Sequence, residues 1–436
     1  MKRPEKLNTD ILFLVSPNYG LLDNWLPVLY ELKKRKPDVK ITAIFPRSEI
    51  VFGITPEEVT TRLGDLIFNK VIFKSRAGFW VLADNLVHAK KLNEKSRIVN
   101  VAMSKIRTAI RLYGGSAPAK PIAYLVEKMI RFVTPVLTGE KHINLDEINR
   151  QPQAICFDLY AKTKKNCREV LDFFPKTPRF SILHGLAIAD YEIKRGNTDI
   201  NRTYKITAYL HSEYERPAYK RNYGLKDSEI KIVGVVRHDP LWIEKIIQTK
   251  NDVPKLWDKY IFVISRPAID NFLPRENKKE ALENIKKLAF KKLNCRVVVK
   301  LHPTEQKEGL YEEVFGKDAY GNKWIYSHSH PFLLGKNSMF AVSFYSGVAV
   351  DLLALGVITI QLLNLKPGQP GGFSMDYQKK GLVLMAHNYD ELKNHASDIL
   401  ERKSNVMLTL LYNYRDYFAP IRKPINIIVE DICKEL

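Results

Sequence analysis

Arg296-Val297-Val298-Val299-Lys300-Leu301-His302-Pro303 is the stretch that decides the fold class. Val297–Leu301 is a short, mainly apolar run rich in β-branched side chains, the pattern of a strand buried on both faces. A sheet covered on both faces belongs to an α/β protein with helices on each side. The run stops at His302 and Pro303, which places them at the carboxyl end of the strand. Open parallel sheets bind ligands just outside that end. His302 there can donate to a phosphate oxygen, and Pro303 stiffens the loop that aims it. A structural histidine at a strand end is the alternative.

Outward from this strand the same alternation continues. Tyr260–Ser265 precedes it, with a helix over Lys278–Lys292 between, and Phe340–Ser343, Ile358–Leu362 and Leu382–Met385 follow. A second series lies nearer the N-terminus: Ile11–Val15, Val39–Phe45, Ala154–Phe157, Phe180–Leu183 and Ile206–Leu210. Between its first two strands, Leu22, Trp25, Leu26, Leu29 and Leu32 mark a helix over Leu21–Lys34. Pro27 fits only a first helical turn, so the regular part is expected to start near it. The pattern predicts two α/β halves, residues 1–240 and 256–412, and a helical tail over 413–436. An insertion near 88–137 interrupts the first half.

That insertion is basic. Lys90–Arg111 holds Lys90, Lys91, Lys95, Arg97, Lys105, Arg107 and Arg111 against the single acid Glu94. Ile122–Phe132 adds apolar and aromatic residues at helical spacing. Such a segment either lies on anionic lipid or is a solvated basic face. The whole chain is lopsided too: 69 Lys+Arg against 48 Asp+Glu give a formal charge of +21 over 436 residues. That surplus predicts an anionic partner. The 4 cysteines are scattered without a CxxC pair, which argues against a disulfide scaffold and a cysteine zinc site. No run approaches the ~20 apolar residues of a membrane span, and no cleavable leader is apparent. A cytoplasmic protein, with a peripheral seat on the inner face of the membrane as an option, is the expectation. No GxxxxGK[ST] and no GxGxxG after the first strand appear, which disfavours a P-loop enzyme. No RNA- or DNA-binding pattern accompanies the charge, so nucleic acid is not expected as a partner.

Other stretches repeat the strand-end logic. Arg266 follows its strand and offers a second cation. Ser343-Phe344-Tyr345-Ser346-Gly347 ends a strand and opens a helix, whose free N–H groups attract anions; Ser346 as a plain N-cap is compatible with this. Ser181-Ile182-Leu183-His184 ends a strand in the first half. Arg237 and Asp239 could pair to brace the junction of the halves. Asp23 lies just past the loop after the first strand. His328-Ser329-His330 reads as loop, not metal site.

In order, the chain carries His184-Gly185, Gly234-x-x-Arg237-x-Asp239, Lys300-x-His302-Pro303, and Tyr345-Ser346 with Asp351 beyond. This combination resembles the CDP-glycerol glycerophosphotransferase (teichoic acid polymerase-like) family, and shares its His-Pro and Ser elements with capsule sialyl- and Kdo-transferases. The resemblance spans roughly residues 180–365. It implies the GT-B fold, two Rossmann-like domains facing each other across a cleft, with donor nucleotide in the second and acceptor in the first. It implies that His302 contacts the donor phosphate, that Ser346 with the helix start at Gly347 holds it, and that His184 is the base or another acceptor-side residue. The strand-end reading adds Lys300, Pro303, Ser343 and Arg266 to the donor-nucleotide side. Asp23 is the competing base. The family usually has Asp-Tyr-Ser-Ser where this chain has Phe344-Tyr345-Ser346-Gly347, and Trp-His-Gly-Thr where it has Leu183-His184-Gly185-Leu186. These departures shift the expected donor from an alditol phosphate to a sugar. The expectation is a metal-independent glycosyltransferase with no cofactor. It would use a CMP-, CDP- or UDP-linked sugar and a cell-surface glycan or lipid-linked acceptor. A CDP-alditol phosphotransferase and a nucleotide-sugar 2-epimerase are the alternatives.

Overall fold

A computed structural model describes residues 7–16, 20–47, 58–75, 80–95, 139, 141–148, 151–159, 165–183, 185, 204–249, 257–269, 273–302, 305, 309–362, 377, 380–418 and 423–436. His184, Pro303 and the greater part of the basic insertion lie outside these residues.

The first sheet contains β1 (Ile11–Leu14), β2 (Ile41–Phe45), β3 (Lys70–Lys74), β4 (Trp80–Ala83), β5 (Lys141–Ile143), β6 (Ala154–Phe157), β7 (Arg179–Ile182), β8 (Ile206–Leu210) and β9 (Ile230–Ile232). Their order is β5-β4-β3-β2-β1-β6-β7-β8-β9. All neighbours are parallel except β3–β4 and β4–β5. The second sheet contains β10 (Tyr260–Ile264), β11 (Arg296–Lys300), β12 (Trp324–Tyr326), β13 (Phe340–Ser343), β14 (Thr359–Leu362) and β15 (Leu384–Ala386). It runs β12-β11-β10-β13-β14-β15, parallel throughout. This is the doubly wound order of a Rossmann sheet, which reverses direction at β10 and β13.

The helices are α1 (Leu21–Arg35), α2 (Glu58–Ile67), α3 (Lys165–Phe173), α4 (Arg216–Tyr223), α5 (Pro240–Ile247), α6 (Arg275–Lys286), α7 (Leu310–Phe315), α8 (Pro331–Lys336), α9 (Val348–Ala354), α10 (Tyr389–Phe418) and α11 (Pro424–Cys433). Period-2 geometry splits each buried strand between two cores. Ile11 and Phe13 join one apolar cluster with α1, while Leu12 and Leu14 join another with α3. In the second sheet Ile261 and Val263 face α6, and Tyr260, Phe262 and Ile264 face Leu334 and Leu352.

Pro27 departs from expectation. The helix starts at Leu21, so the proline sits inside it. It has no N–H for the Asp23 carbonyl, and burial of Leu21, Leu22, Trp25 and Leu26 stabilises the turn around it.

The chain crosses to the second half and returns. Ile425, Ile428, Val429 and Ile432 of α11 are buried in the same cluster as Leu22, Leu29 and Leu32 of α1. Asp431 accepts from the Tyr209 hydroxyl at 3.1 Å and from Lys231 Nζ at 2.6 Å. Phe332 and Leu333 of α8 join that cluster with Trp242 and Ile246 of α5. The two halves are thus joined by apolar packing as well as by chain connections.

Candidate functional site

The carboxyl edge of the second sheet gathers Arg266 after β10, His302 after β11, and the Ser343–Gly347 turn after β13. These strands are direct neighbours at the switch point. Tyr345 adopts φ 53°, a left-handed conformation costly for a bulky residue. Arg266 Nη1 donates to the Tyr345 carbonyl. The Ser346 N–H donates to the buried Ser343 Oγ at 3.2 Å, and the Val348 N–H donates to Ser346 Oγ at 3.3 Å. Gly347 is the N-cap of α9, and Ser346 Oγ braces the turn just before it. The α9 helix spans 7 residues, so its dipole contributes little at this turn.

His302 sits on a buried electrostatic support. Its N–H donates to Glu305 Oε2 at 3.1 Å, and the Glu305 N–H returns to the His302 carbonyl at 2.8 Å. Glu305 Oε1 accepts from Ser265 Oγ at 2.8 Å, from the Tyr311 hydroxyl at 3.1 Å and from Lys278 Nζ. The side chains of Lys278 and Glu305 are each 1% exposed. Burial, then the nearby Arg266 charge, pushes the His302 imidazole down to about 4, against a smaller opposing pull from Glu305. His302 is therefore held as a neutral ring at pH 7.

Lys300, at the end of β11, reaches the loop after β12. Its Nζ donates to the Ser329 carbonyl at 2.7 Å and the His328 carbonyl at 3.3 Å, stapling the loop between β12 and α8. That loop aims His330 at the first half. His330 Nδ1 accepts from the Phe332 N–H at 3.2 Å, so the proton is on Nε2, which donates to Asp23 Oδ1 at 3.1 Å. With both nitrogens so used, the ring has no lone pair to give a metal.

Burial raises the Asp23 carboxyl, but the electrostatic pull and hydrogen bond of the His330 ring, with the charge of Arg237, outweigh it, and the net direction is down. A carboxylate held this way is a poor proton acceptor at neutral pH.

A second contact between the halves lies beside it. The expected Arg237–Asp239 pair does not form: Asp239 caps α5, accepting from the Leu241 N–H at 3.0 Å. Arg237 instead crosses to Asp351 on α9, through Nε at 2.8 Å and Nη2 at 3.2 Å. His238 Nε2 donates to the same carboxylate at 2.6 Å, and its Nδ1 meets the Tyr414 hydroxyl at 2.6 Å. Burial raises Asp351, and these cationic and hydrogen-bonding partners bring it down to about 2. Arg237 Nη1 also donates to Asn24 Oδ1, and Asn24 Nδ2 donates to the Leu183 carbonyl at 2.6 Å. The chain of contacts ends one residue before His184.

Sequence reasoning missed Lys278, Glu305, Asn24 and His330. Glu305 had a signal, an acid three residues past a strand-end histidine. Lys278 had none, because it looks like any lysine of a charged helix. Lys278→Met should leave Glu305 charged and unpaired, costing about 3–5 kcal/mol of stability in urea unfolding. Lys278→Met with Glu305→Leu should recover most of it. A single-variant loss under about 1 kcal/mol would show that the pair behaves like a surface bridge.

No family model matches the chain, and no curated protein matches it by sequence. Solved structures do match it. A UDP-N-acetylglucosamine 2-epimerase superposes with a TM-score of 0.54 at 11% identity, covering 98% of this chain and 95% of its own. A putative UDP-N-acetylglucosamine 2-epimerase from Listeria monocytogenes gives 0.54 at 12%, covering 98% and 96%. The wall teichoic acid polymerase TagF gives 0.53 at 11%, covering 99% and 90%. At these identities the likeness speaks for the fold, and the fold is GT-B: two Rossmann-like units, each built on a largely parallel sheet.

Proposed function

We propose that the protein is a nucleotide-sugar-dependent glycosyltransferase that works without a metal and passes a sugar to a cell-surface glycan or lipid-linked acceptor. The observation that carries this reading is the convergence of Arg266, His302 and the Ser343–Gly347 turn at the switch point of the second sheet. When an acceptor hydroxyl attacks the anomeric carbon, the bond to the phosphate oxygen breaks and negative charge grows on the leaving nucleotide. Arg266 meets that charge, and His302 gains affinity for a proton as the charge develops. His184, following a strand end clamped by Asn24, is the proposed acceptor-side base. Asp23 is the weaker candidate because its carboxyl is already engaged. Glu305, the carboxylate at the His302 turn, is buried and satisfied, whereas a 2-epimerase needs acid–base groups free to move the C2 proton.

The test is a thermal-shift panel of CMP-, CDP-, UDP- and GDP-sugars and CDP-glycerol at pH 7.5 and 5.5. Their phosphates do not titrate in this range. A ligand at about 100 times its Kd should stabilise by about 2.7 kcal/mol. A bound phosphate raises the His302 pKa from about 4, so affinity should be greater at the lower pH and fall as pH rises through the bound-state value. His302→Ala should weaken binding roughly ten- to a hundredfold, from about 1.5–3 kcal/mol, and flatten the pH dependence. If no nucleotide sugar binds, the reading fails. If one binds and its C2 hydrogen exchanges in D2O, the protein is an epimerase; if CDP-glycerol alone binds, it is an alditol phosphotransferase.

A cytoplasmic location on an anionic bilayer belongs to the same proposal. Among the described residues no helix is long and apolar enough to cross a membrane. The helix over 86–95, which carries Lys90, Lys91 and Lys95, has exposed Val87 on it and exposed Leu66 on neighbouring α2. Each Lys or Arg near such a surface contributes about 1 kcal/mol. The protein should float with phosphatidylglycerol vesicles at low salt and be released at high salt. Equal binding to neutral vesicles, or none to either, would make this region an ordinary solvated face.

A further inference from the structure

We infer that Tyr214, backed by Tyr417 and edged by Lys380, is an acceptor subsite for a saccharide ring bearing an anionic group. The inference rests on the transferase reading and names its acceptor chemistry.

Tyr214 lies in a short turn, Glu213–Glu215, directly after β8 of the first half. The turn is rigid. Ser212 Oγ accepts the Tyr214 N–H at 3.2 Å and donates to the Tyr417 carbonyl at 2.5 Å. Glu215 accepts the His211 N–H at 2.8 Å and lies 3.3 Å from His211 Nδ1. The Tyr214 ring is held too, stacked on Tyr417 with centroids 5.0 Å apart and planes 6° from parallel. Tyr417 is 5% exposed and Tyr214 is 56% exposed.

An isolated exposed tyrosine would mean little. Here its inner face rests on a buried ring supplied by α10, at the end of the second half, so the platform spans both halves. Lys380 Nζ lies 4.6 Å from the Tyr214 centroid and 5.5 Å from that of Tyr417. An ammonium over the outer face of Tyr214 would be far more distant from Tyr417 than that. Lys380 therefore sits at the edge of the stack, and among the described residues the outer face of Tyr214 stays open. Among the described residues, no carboxylate pairs with this exposed ammonium.

Tyr377 connects the platform to the donor residues. This buried ring lies in the field of Asp351, Arg237 and Arg266. Tyr414, one turn before Tyr417 on α10, meets His238 at 2.6 Å, and His238 bonds Asp351 on α9, the helix that follows the Ser343–Gly347 turn. The platform therefore stands beside the contact between the halves. An open aromatic face packs against the C–H face of a sugar, and a fixed ring loses little entropy on binding. The cation at its edge selects a phosphate or carboxylate substituent, in keeping with a chain of net charge +21. Because Tyr214 belongs to the first half, the occupant assigned is the acceptor and not the nucleobase.

Saturation-transfer NMR on the full chain with N-acetylglucosamine 6-phosphate and with N-acetylglucosamine tests this, alongside the nucleotide-sugar thermal-shift panel. The phosphorylated sugar should bind the wild type more tightly. Tyr214→Ala should weaken it at least tenfold, Tyr214→Phe should retain it, and Lys380→Met should erase the preference for the phosphate. Nucleotide-sugar shifts should be unchanged in all three variants. No binding of the sugar phosphate, or binding indifferent to Tyr214→Ala, overturns the inference. A nucleotide-sugar shift lost with Tyr214→Ala also overturns it, because the ring would then be a base platform. Tyr214-dependent sugar binding without any nucleotide-sugar shift upholds the subsite and sinks the transferase reading.

Discussion

The buried ion pair between Arg237 and Asp351 ties the first half of the chain to the helix that follows β13. Both side chains are largely hidden from water, at 7% and 8% exposure. Taking two charges out of water is costly, and the pair holds only because its geometry is two-pronged and its remaining valences are filled. His238 and Asn24 do that filling, and Tyr414 on α10 holds His238 from behind. Move α9 and Asp351 loses its partners. Keep it in place, and the Ser343–Gly347 turn stands opposite α1, where Asp23 and His330 make the neighbouring contact. The site between the halves inherits its shape from this seam.

Burial governs the second half's sheet edge as well. It pushes His302 toward neutrality, together with the Arg266 charge, and the buried Lys278–Glu305 pair holds the His302 loop. A neutral imidazole thus stands in the field of a fixed guanidinium. Asp23 illustrates the converse. A carboxylate already receiving a proton donor from His330 orients the cleft and is less able to take a proton from a substrate.

Continuous buried strands were legible because their cause is local. Val297–Val299 or Phe340–Val342 can hide both faces only in a covered sheet, and those strands fall within a residue or two of expectation. The antiparallel edge strands β4 and β5 were not legible, since Trp80–Ala83 and Lys141–Ile143 are short and separated by the long basic insertion. Pro27 misled because tertiary burial outweighed its local preference. Strand-end residues such as Arg266 and His302 could be placed from their position alone. Their supports could not. Arg237 and Asp351 are 114 residues apart, and Glu305 and Lys278 27 apart; nothing in sequence spacing encodes such partners. Asp239 was the nearer acid to Arg237, but its place before Pro240 made it a helix cap.

Whether the Arg237–Asp351 pair fixes the two halves is decided by a double-mutant cycle read by native-state hydrogen exchange, because exchange reports local opening. Arg237→Met and Asp351→Leu should each speed exchange of the α9 amides and of residues 236–238 by well over tenfold, since each strands a buried charge. The double variant should regain much of that protection, as buried pairs replaced by apolar residues commonly do. Additive losses, with the double variant as exposed as the two single effects combined, would contradict the claim and show that the seam is held by its apolar packing alone.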